Sequence, residues 1–311
     1  MNFADYNLIQ EGSLICEPCL CITLFSDTDL GTVDAPDVLS PYRVFLENFG
    51  SQVSYCILDG DQMHAKKITP KLLENLPNEM NEAELRKQAG VIAYLFRSVS
   101  GREKLSPSIS FDYGKIGKPH TYIRINLPLD CFDQAGILSL QRYLFNSLKG
   151  FPLQAGYIGY CFSWSTANDR ELYPMFARWL QRHPGIMHPS EAQEIVSIYG
   201  LTDIGWITLL GVEFLARMGG IDSLKKAVSH IPQVTVTVLA EGGAYIQIGD
   251  APQLGDTYNG DPLSSYCEVG KVLAPLRNRD ALIENMSVPG MRERDYPGLR
   301  AQWIDRFFPT K

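Results

Sequence analysis

Three cysteines, Cys16, Cys19 and Cys21, stand in a C-x-x-C-x-C spacing that could offer three thiolates to zinc. No second Cys/His pair at finger spacing accompanies them, His64 and His120 are remote in the chain, and a strand sends alternate side chains to opposite faces. The pattern is therefore expected to be three buried cysteines in a strand, with no metal site. A cysteine hydrolase needs a histidine within reach of its thiol and a group that orients the histidine. Cys161 with His183 or His188 is the pairing on offer, and no local signature surrounds it. There is no G-x-S-x-G elbow, and Gly156, Gly159 and Gly219-Gly220 complete neither a dinucleotide fingerprint nor a P-loop. His183-Pro184-Gly185 reads as a helix stop, and Glu191 with Glu194 as a solvated helix face. No catalytic residue, metal or cofactor is assigned.

Two acidic loops offer chemistry of another kind. Residues 26–37 carry Asp27, Asp29, Asp34 and Asp37. Residues 249–262 carry Asp250, Asp256 and Asp261 with Tyr258 and Asn259, and no Lys or Arg. Carboxylates beside an exposed aromatic can mimic phosphates and fill a basic cleft. Complementary charge speeds encounter and selects partners, while the aromatic supplies affinity. The competing reading of the second loop is a polar connection built on Asx turns.

The elements that would hold these loops follow from periodicity and punctuation. Residues 14–25 read as a strand in which Pro18 marks an edge or bulge. Pro41 opens a helix to Phe49, residues 52–58 form a strand, and Thr69-Pro70 opens a short helix to Leu76. Asn81 with Glu84 forms a capping box for a helix to about Ser98, although its apolar middle, Val91 to Phe96, could be a strand. Residues 107–113 and 120–127 read as a hairpin, followed by a helix from Asp130 or Asp133 with a stripe at Leu138, Leu140, Tyr143, Leu144 and Leu148. A strand over 155–164 precedes a helix from Asn168 or Asp169 to Arg182. Ile204 to Met218 reads as a strand-like segment, and Asp222 as the cap of a helix over 223–229. Residues 234–240 and 244–248 form a hairpin around Glu241-Gly242-Gly243. Asp261-Pro262 opens a helix to Leu276, distorted at its end by Pro275. Leu299, Trp303 and Phe307, four apart, make one face of a C-terminal helix docked on the core.

Strands joined by short turns among the helices predict an α+β fold, with antiparallel or mixed sheets flanked by helices. Residues 107–182 read β-β-α-β-α and 204–276 read β-α-β-β-α, a possible pseudo-repeat of two α/β halves. The expected organisation is an N-terminal α/β portion over 1–105, a core α+β portion over 106–280 and a helical tail over 281–311, possibly one continuous domain.

The 311 residues, 45% hydrophobic and 20% charged, can bury a core without staples. A net charge of −7 argues against direct nucleic-acid binding and permits attraction to a basic partner. Residues 277–311 hold seven basic and five acidic side chains, so residues 1–276 carry −9. Seven cysteines without framework spacing suit a reducing compartment. Met1 to Gln10 has neither a basic nor an apolar signal region, and no run approaches the roughly 18 apolar residues of a membrane span. A cytoplasmic protein that does not engage membrane is expected, and a homo-oligomer is possible.

An ordered set of segments carries a resemblance: GYIGYCFSW (156–164), HPGI (183–186), GWITLLGVEFLARMGG (205–220), IQIGDAPQLGD (246–256) and APLRNRD (274–280). In order and spacing they resemble the type VI secretion immunity family, long known only as a domain of unknown function. The likeness is to its TsiV and TsiT types, with TsiT the nearer, and it covers roughly residues 10–280. It implies an α+β inhibitor of a cognate type VI effector toxin, which for TsiT-like members is a nuclease of restriction-endonuclease type. It carries over no catalytic residue, and implies that Gly156, Gly159, Trp206, Gly249, Pro252 and Gly255 are fold determinants. The function expected is binding and neutralising a cytosol-acting nuclease toxin, with Asp27, Asp29, Asp34, Asp37, Asp250, Asp256, Tyr258, Asn259 and Asp261 as contacts. The alternatives are an effector-loading adaptor or chaperone, and a thiol-dependent hydrolase.

Overall fold

The structure is a computed structural model that describes residues 3–28, 37–58, 65–72, 90–97, 104–114, 120–131, 136–164, 169–188, 199–278 and 292–308. The fold is α+β, with antiparallel strands and flanking helices. Packing divides the chain into two compact units. The first is Met1–Leu153 with Ser163–Ser165, and the second is Gln154–Phe162 with Thr166–Lys311.

The first unit is built on β1 (Leu8–Gln10), β2 (Ser13–Ser26), β3 (Tyr55–Leu58), β4 (Lys66–Lys67), β5 (Gly90–Phe96), β6 (Ser108–Gly114) and β7 (His120–Pro128). Their order is β1-β2-β7-β6-β5-β3-β4, antiparallel at each junction. Pro18 sits where pairing with β1, which ends at Cys16, gives way to pairing with β7, which begins at Cys19. The missing N–H of proline is tolerated at such a handover. Alternation separates two faces. Leu20, Ile22 and Leu24 lie level with Leu127, Ile125 and Ile123 on β7, and these with Ile109 and Phe111 on β6, all of them buried. Helix α1 (Ser40–Phe49) packs on α2 (Gly136–Leu148) and against β6. Each fully buried Leu or Ile contributes about 1.5–3 kcal/mol.

The other face of β7 is polar. The Arg124 Nε donates to Asn126 Oδ1 (3.1 Å), and Asn126 Nδ2 donates to Ser108 Oγ (3.1 Å). The Arg124 guanidinium lies 4.8 Å from the Trp164 ring centre. Cys19 reaches the same asparagine oxygen at 3.7 Å, so it joins this network as a weak donor.

The second unit holds β8 (Ala155–Trp164, to Phe162), β9 (Ile207–Leu210), β10 (Val234–Val238) and β11 (Ala244–Ile248), in the order β8-β9-β11-β10. Its helices are α3 (Asp169–Arg182), α4 (Val212–Arg217), α5 (Ile221–Val228), α6 (Ser264–Leu273) and α7 (Tyr296–Ile304). Strand β8, from the first of the two suggested halves, pairs with β9 from the second.

Several elements differ from the sequence reading. Residues 90–96 are strand β5, in register with β6, and not the middle of a helix; Asn81 and Glu84 lie outside the described residues. The expected strand over 204–218 stops at Leu210. Gly211 caps α4, and burial changes from every residue in β9 to Phe214 and Leu215 alone in α4. An apolar run hides that change of period, since both conformations accept it. Asp222 lies inside the first turn of α5, whose cap is Gly220 at φ 86°. The helix expected from 261 to 276 runs from Ser264 to Leu273 and tightens to a 3-10 turn over Ala274–Leu276, where Pro275 removes a donor. In the tail, Trp303 and Phe307 are buried as expected, but Leu299 is half-buried and α7 ends at Ile304, so Phe307 lies beyond the helix.

Candidate partner-binding site

The acidic loop of the second unit is braced at the C-terminal end of α3. That helix buries Leu172, Phe176, Ala177 and Leu180 on one face, and Phe162 stacks on Phe176 (5.3 Å) and Trp179 (4.6 Å). The packing fixes where Arg182, in the last turn, can reach. Its Nη2 meets Asp256 Oδ2 at 2.9 Å and its Nε lies 3.3 Å from the same oxygen, a side-on fork. Asp256 also accepts from the Tyr258 N–H (3.0 Å) and from Asn259 Nδ2 (2.9 Å). The hydrogen bond from Arg182, ahead of that from Tyr258, holds its carboxyl below the usual carboxylate range.

Asp256 and Asp261 exchange backbone hydrogen bonds of 3.1 and 3.0 Å, closing the turn on itself. Gly260 completes the turn at φ 73°, a conformation glycine adopts without strain. Thr257 Oγ1 donates to the Gln181 carbonyl at 3.0 Å, and His183 Nδ1 lies 2.7 Å from the Gly255 carbonyl. The loop is thus tied to α3 on both sides of Asp256.

The result is a rigid presentation of Tyr258, which is 78% exposed. The Arg182 guanidinium lies 5.4 Å from its ring centre and supports the ring from behind. Asp250 and Asp261 are exposed. Asp250 follows Gly249, whose carbonyl accepts from Trp206 Nε1 (3.1 Å) and Gln247 Nε2 (3.0 Å). Asp261 Oδ1 accepts from the Leu263 N–H at 3.2 Å, leaving its other oxygen turned outward from that bond.

The nine residues singled out from sequence therefore take different roles. Asp256, Asn259 and Asp261 build the turn, while Asp250, Tyr258, Asn259 and Asp261 are exposed to solvent. In the first unit Asp27 is half-buried, and Asp37 pairs with Arg43 and accepts from the Leu39 N–H (3.1 Å) at the start of α1. Asp29 and Asp34 lie outside the described residues. The Asx-turn reading of residues 249–262 holds at Asp256 and Asp261, whose carboxylates accept from the N–H two residues on. Sequence reasoning missed Arg182. It stands 74 positions before Asp256, and a cation in the last turn of a helix gives no local sign of a distant acidic partner.

Cys16, Cys19, Cys21, Cys56 and Cys161 are buried thiols, and Cys161 donates to the Met187 carbonyl at 3.5 Å. Among the described residues no group of three or more His, Cys, Asp or Glu could hold a metal ion, and no helix is long and apolar enough to cross a membrane.

Residues 58–307 match the profile of the TsiV family, described as type VI immunity for VRR-NUC. The chain belongs to the TsiV family. Membership gives it a toxin-immunity role in type VI secretion. The fold is also that of a solved Pseudomonas aeruginosa T6SS protein, PA0821. The two share 16% sequence identity and superpose with a TM-score of 0.76, over 98% of this chain and 87% of that one. A second solved structure, the toxic C-terminal tip of CdiA from Pseudomonas aeruginosa in complex with immune protein, aligns at 12% identity. It covers 50% of this chain and 91% of that one with a TM-score of 0.21, too low to bear on the fold. No curated protein matches the TsiV-family chain in sequence.

Two of the glycines expected to shape the fold are closely approached. A Cβ on Gly255 (φ 65°) would sit 2.9 Å from Leu263 Cγ, and one on Gly159 would sit 3.0 Å from Met187 Sδ.

Proposed function

We propose that this TsiV-family protein binds and neutralises a cognate type VI nuclease toxin in the cytoplasm, with Tyr258, Asp250 and Asp261 among its contacts. The observation that carries the site is Tyr258, an aromatic left 78% exposed yet held by a carboxylate, a guanidinium and a glycine turn. A large exposed aromatic with little freedom left loses little conformational entropy on binding, and such residues dominate interface energetics. The net charge of −7 suits the cationic groove with which a nuclease holds its substrate. The family description names a VRR-NUC partner, which agrees with a nuclease, and the absence of a catalytic signature in the sequence agrees with action by occlusion.

The test is reconstitution. Purified chain and its cognate VRR-NUC toxin should form a complex that abolishes DNA cleavage at equimolar ratio. Tyr258→Ala should restore cleavage and weaken binding. A complex that leaves cleavage intact would transfer the reading to an effector-loading adaptor, and full inhibition by Tyr258→Ala with unchanged affinity would remove this loop from the interface.

A further inference from the structure

We propose that the free edge of β10 pairs with the β10 of a second copy, making the protein a two-fold dimer through a continuous antiparallel sheet. Strand β10 is Val234-Thr235-Val236-Thr237-Val238, and β11 is its strand neighbour on one side. Register decides which groups it offers on the other side. Leu239 N–H donates to the Gly243 carbonyl (2.8 Å), and Gly249 N–H donates to the Gln233 carbonyl (2.7 Å). With Thr235 level with Gln247 and Thr237 with Tyr245, residues 233, 235, 237 and 239 are the hydrogen-bonded positions toward β11. Val234, Val236 and Val238 therefore turn their main-chain groups to the open edge. The Val234 N–H reaches the Ile231 carbonyl at 3.4 Å, and among the described residues the N–H and carbonyl of Val236 and Val238 and the carbonyl of Val234 are left for a partner strand.

An edge like this is normally blunted by Lys, Pro or a bulge. At the far end of the first unit's sheet, β4 is two exposed lysines, Lys66-Lys67. Strand β10 has no charge, no proline and no glycine, and Thr235 and Val238 are exposed. Its sequence reads the same in both directions about Val236. Antiparallel self-pairing centred there sets Val236 opposite Val236, each donating to and accepting from the other. Val238 N–H then meets the partner's Val234 carbonyl, and every Thr235 faces a Thr237. Such an interface is isologous, and Val–Val and Thr–Thr cross-strand pairs are favourable ones. Val212, 58% exposed, and Val238, 49% exposed, add apolar surface at the hairpin end, where Gly242 lies against Val212. The self-complementary pattern selects a second copy over a strand of unrelated sequence. This inference does not depend on the toxin-binding loop.

Sedimentation velocity from about 1 to 500 μM brackets the weak-to-moderate affinities of short strand pairings. A concentration-dependent dimer of twice 34.8 kDa is expected. Val236→Pro removes an N–H that serves only the open edge, and Val238→Lys places a charge on an exposed position. Each is expected to raise the dimer dissociation constant at least tenfold while leaving the circular dichroism spectrum and toxin neutralisation unchanged. Should Val236→Pro disturb the strand, Val238→Lys alone decides. Amide exchange adds a local readout, with Val236 and Val238 slow at high concentration and fast in Val238→Lys. A monomer throughout the range, a dimer unaffected by Val238→Lys, or protection of these amides only on adding toxin would each overturn the proposal.

Discussion

Replacing Arg306 by methionine should unlock the C-terminal segment. The guanidinium is a hub in the second unit. Its Nη2 donates to Asp203 Oδ1 (2.6 Å), its Nε to the Pro184 carbonyl (2.7 Å) and its Nη1 to the Trp303 carbonyl (3.1 Å). It stacks 3.5 Å from the Trp303 ring centre and 4.5 Å from that of Phe307. The two charged side chains are 10% and 5% exposed. Methionine keeps the apolar stem and removes the charge, which leaves Asp203 buried with the Ile204 N–H at 2.7 Å and the weaker field of Arg277. Breaking a buried pair from one side costs about 3–5 kcal/mol. Burial pushes the Asp203 carboxyl above its usual range, and Arg306 opposes that rise. Without Arg306 the carboxyl climbs further. The native variant then takes up a proton where the unfolded chain, titrating near about 4, does not. Stability of the variant therefore rises as pH falls through the raised native value. Urea unfolding followed by tryptophan fluorescence should show the 3–5 kcal/mol deficit at about pH 7 shrinking toward about pH 4.5. Adding Asp203→Asn should recover part of it. A deficit below about 1 kcal/mol, or one constant with pH, would refute the uncompensated carboxylate.

Three further outcomes test the loop and its frame. Tyr258→Ala should weaken toxin binding by at least about 2 kcal/mol, roughly 30-fold in Kd by calorimetry, with an unchanged unfolding midpoint because the ring is 78% exposed. Asp250→Lys combined with Asp261→Lys should slow association at low salt and converge with the unmodified protein near about 1 M salt, where charges more than about 3 Å apart are screened. Equal association rates at low salt would remove these carboxylates from the encounter. Gly185→Ala would set a Cβ 1.9 Å from the Gln253 carbonyl oxygen and 2.9 Å from Leu263 Cδ1. A backbone atom cannot turn aside, so a loss of about 3 kcal/mol is expected in thermal unfolding, and an unchanged Tm would contradict the close approach.

The α+β class, the two hairpins and the docked tail were legible because local signals agree there. Gly242 at φ 87° closes β10 onto β11, and Trp303 and Phe307 recur at helical spacing. The 204–218 segment was not legible as strand-then-helix, because an apolar run carries no period until burial is known. The division after Leu153 was equally hidden. It arises from which strands pair, and residues 151–156 (FPLQAG) show no linker composition. At the candidate site the exposed aromatic and acids could be read from one loop, whereas their brace, Arg182, depends on where α3 ends in space.

That split explains why the family was readable and the interface less so. The segments carrying the resemblance supply backbone approaches that admit no side chain: Gly185 against Gln253 and Gly205 against Ile158. Packing dictates such residues, so they leave a pattern. Asp250 and Tyr258 face solvent, and core packing places no demand on their side chains. Asp256 stands between the two regimes. It is acidic like its neighbours, but its charge is paired with Arg182 and it accepts from the Tyr258 N–H. A carboxylate paired with a guanidinium 2.9 Å away leaves little net field, so in this loop charge count overstates the negative surface. The loop thus carries one exposed aromatic, Tyr258, on a turn that Asp256 and Asp261 hold closed, with Asp250 and Asp261 exposed in the same loop.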